Sequence, residues 1–296
     1  MDKKKIEIPD TMELNLSDFA LFLSVMKNKE AHECILSIIM DEENLELADI
    51  NVEQVILNKA GRRAIRLDAW AVDTADRQFN TEMQNDTSGD DVRRRSRFYQ
   101  GLIDTPILKS GKETRYQQLP STIIIFITQE DIFGKDLAKY TFTEQCEEVR
   151  GLRLEDGTSK IFLNMMSKNG RPELVSLLQY MKQTSMDNPE IMKKDRRLTR
   201  LDEIVTEVKQ SEEWEDVKMN ILEFGIEQGR VQGIEQGGAY KLIEQVCRKL
   251  RKGKPPVLIA DELEEDYGTV SDICKIAERF APDYDSDSVC REYFDN

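Results

Sequence analysis

The first extended pattern along the chain is helical. Over residues 17–40, Phe19, Leu21, Phe22, Leu23, Val25 and Met26 open an apolar stretch behind Ser17 and Asp18, two residues suited to an N-cap. A polar break at Lys27–Lys29 follows, and Cys34, Ile35, Ile38 and Ile39 resume helical spacing. The period then changes to two. Gln54–Asn58 reads as a short strand. Arg63–Val72 is a stronger one, with Ile65, Leu67, Ala69 and Ala71 on one face and Arg66, Asp68 and Trp70 on the other. Gln78–Gln84 is the next, with Phe79, Thr81 and Met83 opposite Asn80, Glu82 and Gln84. Asp73–Arg77 between them reads as a hairpin turn.

Ser88-Gly89 introduces a helix expected from about Asp90 to Ile103. The run STIIIFIT at 121–128, behind Pro120, is continuously apolar, as a strand buried on both faces must be. Lys139–Val149 and Leu152–Asn164 read as further strands, the second turning at Glu155-Asp156-Gly157, and Pro172–Thr184 reads as a helix. Residues 190–250 are almost all helix-forming and charged. They carry glycine at 225, 229, 233 and 237 and repeat IEQG at Ile226–Gly229 and Ile234–Gly237. Such spacing either permits close helix–helix approach, and with it a homodimer through this arm, or reflects a drifting repeat, which is the simpler reading. Two short helices follow around Tyr267-Gly268. Their spacing is superficially that of a helix-turn-helix, but the acidic surroundings argue against DNA contact, and a small helical tail is expected. The order of elements predicts an α/β domain over 15–185, a charged helical arm over 186–250 and a small acidic helical tail over 251–296.

Composition narrows the chemistry. Hydrophobic residues make up 39% and charged residues 33% of the 296, which fits a globular chain with a solvated surface. No apolar run approaches the roughly 20 residues that span a bilayer. The start, MDKKKIEIPD, has no apolar h-region, so no membrane association and a cytoplasmic location are expected. Five widely spaced cysteines without a CxxC point to reduced thiols. The single histidine, His32, argues against His-based triads and zinc sites and is expected at a helix surface or boundary. Hydrolysis would then fall to carboxylates and a hard cation. The net charge of −15 opposes a polyanionic partner as a whole. Basic residues nevertheless cluster at Arg93, Arg94, Arg95 and Arg97, at Lys109, Lys112 and Arg115, and at Lys193, Lys194, Arg196, Arg197 and Arg200. A local basic face is therefore open, and the arginines at 93–97 are either a solvated helix face or a phosphate contact.

Asp68 and Glu82 are the candidate centre. If the two strands pair antiparallel, their carboxylates come close enough to share one cation, and two carboxylates with water suit Mg²⁺. The bland alternative is a pair of ordinary exposed strand residues.

An acidic residue on one strand and E-x-Q on the next resembles the PD-(D/E)XK nuclease superfamily. The ordered series is more specific. It runs Leu67-Asp68, Asn80-Thr81-Glu82-Met83-Gln84, Arg95-x-x-x-Tyr99, Gly111, Tyr116-x-x-Leu119-Pro120, and Leu154-x-Asp156-Gly157 into Phe162-Leu163-Asn164. It looks like the PD-(D/E)XK family transposases, also called recombination-promoting nucleases, over roughly residues 15–240. The resemblance implies a restriction-endonuclease-like core, a central mixed sheet flanked by helices. It also implies a Mg²⁺- or Mn²⁺-dependent DNA endonuclease tied to transposition and recombination of mobile DNA. Asp68 and Glu82 would be metal ligands and Gln84 would stand at the catalytic lysine position. Arg95 and Tyr99 match the following helix and, with Arg94, would contact nucleic acid. Glu33 is weighed as a third acidic ligand, a helix-surface glutamate being the simpler reading. Gln84 departs from the wider superfamily: it can orient water and hydrogen-bond a phosphate but carries no charge. That loss and the acidic bulk leave a second expectation open, a nuclease fold kept as a protein-interaction module. RNA in place of DNA also remains open.

Overall fold

The computed structural model describes residues 13–56, 64–87, 89–108 and 114–295, with the backbone alone over 224–236 and at 295. The N-terminal basic stretch, Asn58, Arg63, Ser88, Lys109, Gly111 and Lys112 lie outside the described residues, as do the side-chain surroundings of the glycine repeat from Gly225 to Gly233. Two compact units are present, one ending at Lys218 and one running from Met219 to Asn296.

The first unit is α/β. In chain order it holds α1 (Phe19–Met26), α2 (Lys29–Met40), β1 (Leu47–Ile56), β2 (Ile65–Asp73), β3 (Gln78–Gln84), α3 (Val92–Asp104), β4 (Thr122–Thr128), β5 (Lys139–Phe142), β6 (Thr158–Asn164), α4 (Pro172–Lys182), α5 (Arg196–Lys209) and the start of α6 (Glu212–Leu250). The six strands form one mixed sheet in the order β1-β2-β3-β4-β6-β5. β1, β2 and β3 pair antiparallel, β3, β4 and β6 run parallel, and β5 closes the far side antiparallel to β6. Every residue of β4 is buried because both faces of the sheet are covered. Ile123, Ile125 and Ile127 join the larger core with α1, α2, α4 and α5; Ile124 and Phe126 join a smaller core beneath α3.

Local chemistry explains where elements stop. The expected single helix over 17–40 is two, because the Asn28 side chain accepts the Ala31 N–H at 3.1 Å and caps α2 afresh. Asp73 Oδ1 accepts the N–H groups of Ala75 and Arg77, which closes the β2–β3 turn with Asp76 at φ +62°. β1 begins earlier than expected, at Leu47, whose N–H donates to Glu33 Oε1 at 2.9 Å. Most of its residues are at least partly exposed on an edge, so its apolar pattern is faint. β5 and β6 are shorter than expected. Positive φ at Gly151, Glu155 and Gly157 turns residues 143–157 out of strand geometry, leaving one bridge, Gln145 to Arg153. Gly170 is required by close approach: a Cβ there would stand 2.7 Å from Ala138 Cβ.

Two further expectations change. His32 is wholly buried, not at a surface or boundary, because it falls on the face of α2 that packs among Ala31, Ile35 and Ile39. Neither ring nitrogen has a partner among the described residues, and burial pushes its pKa down to about 3. The core also continues past 185. Leu198, Leu201, Ile204 and Val205 of α5 and Trp214 are buried in it, behind a charged outer face that hid the periodicity. Three residues of the basic cluster of this segment are held in pairs. Arg197 donates to Asp195 and to the Ser37 carbonyl, Arg200 pairs with Glu30 and Glu203, and Lys193 pairs with Glu173.

The second unit is helical. The end of α6, α7 (Pro256–Leu263), α8 (Tyr267–Ala277) and α9 (Ser286–Asp295) enclose Ile243, Val246, Ile259, Val270, Ile273 and Val289. Cys247, Cys274 and Cys290 are buried there as free thiols, and burial raises all three pKa values. No helix among the described residues is long and apolar enough to cross a membrane.

Candidate metal centre

The site lies where β2 and β3 part. Their ladder pairs Val72 with Gln78, Ala71 with Phe79, Trp70 with Asn80 and Ala69 with Thr81. The next step would set Asp68 opposite Glu82, and there side chains replace the backbone ladder. The Asp68 N–H donates to Glu82 Oε1 at 3.1 Å, and the Met83 N–H donates to Asp68 Oδ2 at 3.1 Å. Each carboxylate is therefore pinned by the backbone of the opposite strand. Asn80 Nδ2 adds a third donor, to Glu82 Oε1 at 3.0 Å.

Strand alternation is interrupted at the same place. Ala69 and Ala71 pack in the larger core, whereas Ile65 and Leu67 pack beneath α3 in the cluster that Trp70 borders. Uninterrupted alternation would put all four on one face. Across from Asp68, the β1 register passes from Val52↔Ala69 to Gln54↔Leu67, and the residue between, Glu53, has φ +55°. The expected grouping of Ile65 and Leu67 with the alanines is thereby corrected.

Helix α3 covers the carboxylates. The Asp91 side chain caps it by accepting the N–H groups of Arg93 and Arg94. One turn later the Arg95 guanidinium enters the site. Nη2 donates to Glu82 Oε2 at 2.9 Å, Nη1 to Gln84 Oε1 at 2.8 Å and Nε to Tyr99 Oη at 2.9 Å. Its carbon lies 5.0 Å from the Tyr99 ring centroid and 5.6 Å from that of Phe126. Gln84 is held at both ends, since its Nε2 donates to the Asp86 carbonyl.

Burial sets the electrostatics. Asp68 is 7% exposed and Glu82 is fully enclosed, so the two are interior residues and not ordinary exposed strand positions. Desolvation raises both pKa values, and the Asp68 charge raises that of Glu82 further. The Tyr99 phenol, buried beside Glu82, is pushed up to about 12 and stays protonated near neutrality. Two carboxylates thus face one guanidinium in a dry setting that favours added positive charge.

Asp68, Glu82, Gln84, Arg95 and Tyr99 meet here. Arg94 does not: its side chain is 82% exposed and pairs with Asp91 on the outer face, beside the exposed Arg97 and Phe98. Glu33 is engaged at the start of β1. Asn80 and Phe126 are additional members. Asn80 was legible, lying two residues before Glu82 on one strand face; Phe126 was not, since only the parallel β3–β4 register sets it beside Glu82.

The donors suit a hard divalent cation. All are oxygens, Asp68 Oδ1 accepts no hydrogen bond among the described residues, and the buried Asn80 Oδ1 has no partner there. No group of three or more acidic, histidine or cysteine side chains placed to hold a metal occurs among the described residues. Two carboxylates with water and substrate oxygens match the way Mg²⁺ is commonly held. Comparison of the chain with protein-family models, curated proteins and solved structures finds no match.

Proposed function

We propose that this chain is a Mg²⁺- or Mn²⁺-dependent endonuclease that hydrolyses DNA phosphodiesters on a restriction-endonuclease-like, PD-(D/E)XK core, in transposition or recombination of mobile DNA. The observation that carries the proposal is the reciprocal pinning of Asp68 and Glu82 where β2 and β3 part. The motif series that resembles the PD-(D/E)XK family transposases supports it. A cation held there would polarise a phosphodiester oxygen and lower the pKa of its water. Asp68 and Glu82 are the residues that would hold it. Gln84 fixes Arg95 through its Oε1, and Arg95 supplies the positive charge that a glutamine at this position lacks. The outer face of α3, with Arg94, Arg97 and Phe98, is the surface offered to the nucleic-acid backbone.

One observation favours a second reading, a nuclease fold without turnover that serves protein interaction: Glu82 is already ion-paired with Arg95 in a fully buried position. Nicking of supercoiled plasmid in Mg²⁺ and Mn²⁺, by the wild type and by Asp68→Asn, separates the two. The endonuclease reading expects nicking by the wild type alone. Nicking by both removes Asp68 from the chemistry. Absence of cleavage of supercoiled, linear or single-stranded DNA by the wild type leaves the interaction module.

A further inference from the structure

We propose that Arg95 is a resident counter-cation that an incoming divalent metal displaces from Glu82, and that the displaced guanidinium then holds the substrate phosphate. This rests on the metal-binding reading above.

Glu82 has two oxygens. Oε1 already accepts from the Asp68 backbone and from Asn80, so its acceptor capacity is filled. Oε2 is held by Arg95 Nη2 at 2.9 Å. A cation shared between Asp68 and Glu82 must therefore contest Oε2 with the guanidinium. The two positive charges cannot both sit within contact of it without strong repulsion in this buried place. Arg95 has a seat that does not depend on Glu82. The ring faces of Tyr99 and Phe126 flank it, and Tyr99 Oη accepts from Nε. It can thus give up the carboxylate and stay in the site. Its Nη2 edge, once free, is a planar donor group whose geometry matches phosphate oxygens. Metal and phosphate would then assist each other's binding, because the metal releases the donor that the phosphate needs.

The test is calorimetric titration of Mg²⁺ and of Mn²⁺ into the full chain without nucleic acid. Wild type, Arg95→Met and Tyr99→Phe are compared at pH 8.5, where protons do not replace the lost guanidinium. Arg95→Met should bind the metal about tenfold more tightly than wild type. Tyr99→Phe keeps the ring but removes the Nε acceptor that seats Arg95 away from Glu82, and should bind the metal more weakly than wild type; it carries the test if Arg95→Met does not fold. A labelled duplex with phosphorothioate linkages should bind wild type more tightly when Mg²⁺ is added, and Arg95→Met should lose that gain. Equal metal affinities in all three proteins overturn the displacement and leave the metal site standing. Weaker binding by Arg95→Met also overturns it, since Arg95 would then be holding Glu82 in place for the metal. No heat of binding in any of the three overturns both the displacement and the metal-dependent reading.

Discussion

The backbone N–H of Asp68 donates to the carboxylate of Glu82 at 3.1 Å, so the two acidic residues are tied by a main-chain bond as well as by proximity. A change of charge at one therefore acts on the other without moving the strands. Asp68→Asn keeps an oxygen to accept the Met83 N–H and removes one of two desolvated like charges. Plasmid nicking in Mg²⁺ should fall by roughly 100-fold or more, while the melting temperature of the metal-free protein holds or rises. A variant that melts several degrees lower would move Asp68 from chemistry to architecture.

Metal affinity should depend on pH around neutrality. Burial raises the pKa of both carboxylates, with the Asp68 charge adding to the effect at Glu82. Protons then compete with the cation, so Mg²⁺ affinity climbs as pH rises through the raised values and levels off above them. Stability of the metal-free protein runs the other way. Between the ordinary carboxylate value of roughly 4 and the raised values, the folded state binds more protons than the unfolded chain, so this pair's contribution to stability falls as pH rises. The gap in melting temperature between Mg²⁺ and EDTA should widen from pH 5 to pH 8. Asp68→Asn should narrow it, and a gap independent of pH would contradict the coupling.

His32 has the opposite sign. Its folded pKa is pushed down to about 3 by burial, so the unfolded chain binds a proton that the folded one refuses. Stability is full above the unfolded value of roughly 6.5 and is lost as pH falls below it, by about 2 kcal/mol at pH 5. Chemical denaturation of wild type and His32→Met at pH 7.5 and pH 5 measures this. The variant should lose less stability over that interval, and equal losses would mean that the imidazole is solvated.

Gly170 packs against the Ala138 methyl with no room for a second methyl group, beside the Ala138 N–H that donates to the Asn169 carbonyl at 2.9 Å. Gly170→Ala should cost about 1–3 kcal/mol in urea unfolding. Adding Ala138→Gly should recover part of that cost, beyond the sum of the single changes. Strict additivity would show that the strain is relieved elsewhere.

Much of this architecture is written in short-range pattern. The unbroken apolar run of β4 announces a strand covered on both faces, and the hairpin around Asp73–Arg77 carries its own turn chemistry. The pairing of Asp68 with Glu82 follows from the antiparallel register that hairpin imposes. What escaped the pattern depends on distant partners. The slip of alternation at Asp68 arises across the ladder from Glu53, and α5 looked like a solvated arm because its buried face is narrow. Arg95 was legible as a residue of the helix after β3, but not as the side chain that joins Glu82 to Gln84, since that needs the tilt of α3 over the sheet.

The intramolecular pairing of the arginines on α5 has a kinetic consequence. With Arg197 and Arg200 neutralised by Asp195 and Glu30, fewer free cations accompany the exposed Arg94 and Arg97 of α3, on a chain of net charge −15. A polyanion approaching from afar is repelled before it meets the face that attracts it. The Debye length is about 10 Å at 0.1 M salt, so modest salt hides the distant repulsion before it erodes contacts at the surface. Encounter with such a partner should be fastest at intermediate ionic strength and slower on either side, unlike the steady decline shown by a protein that is basic throughout.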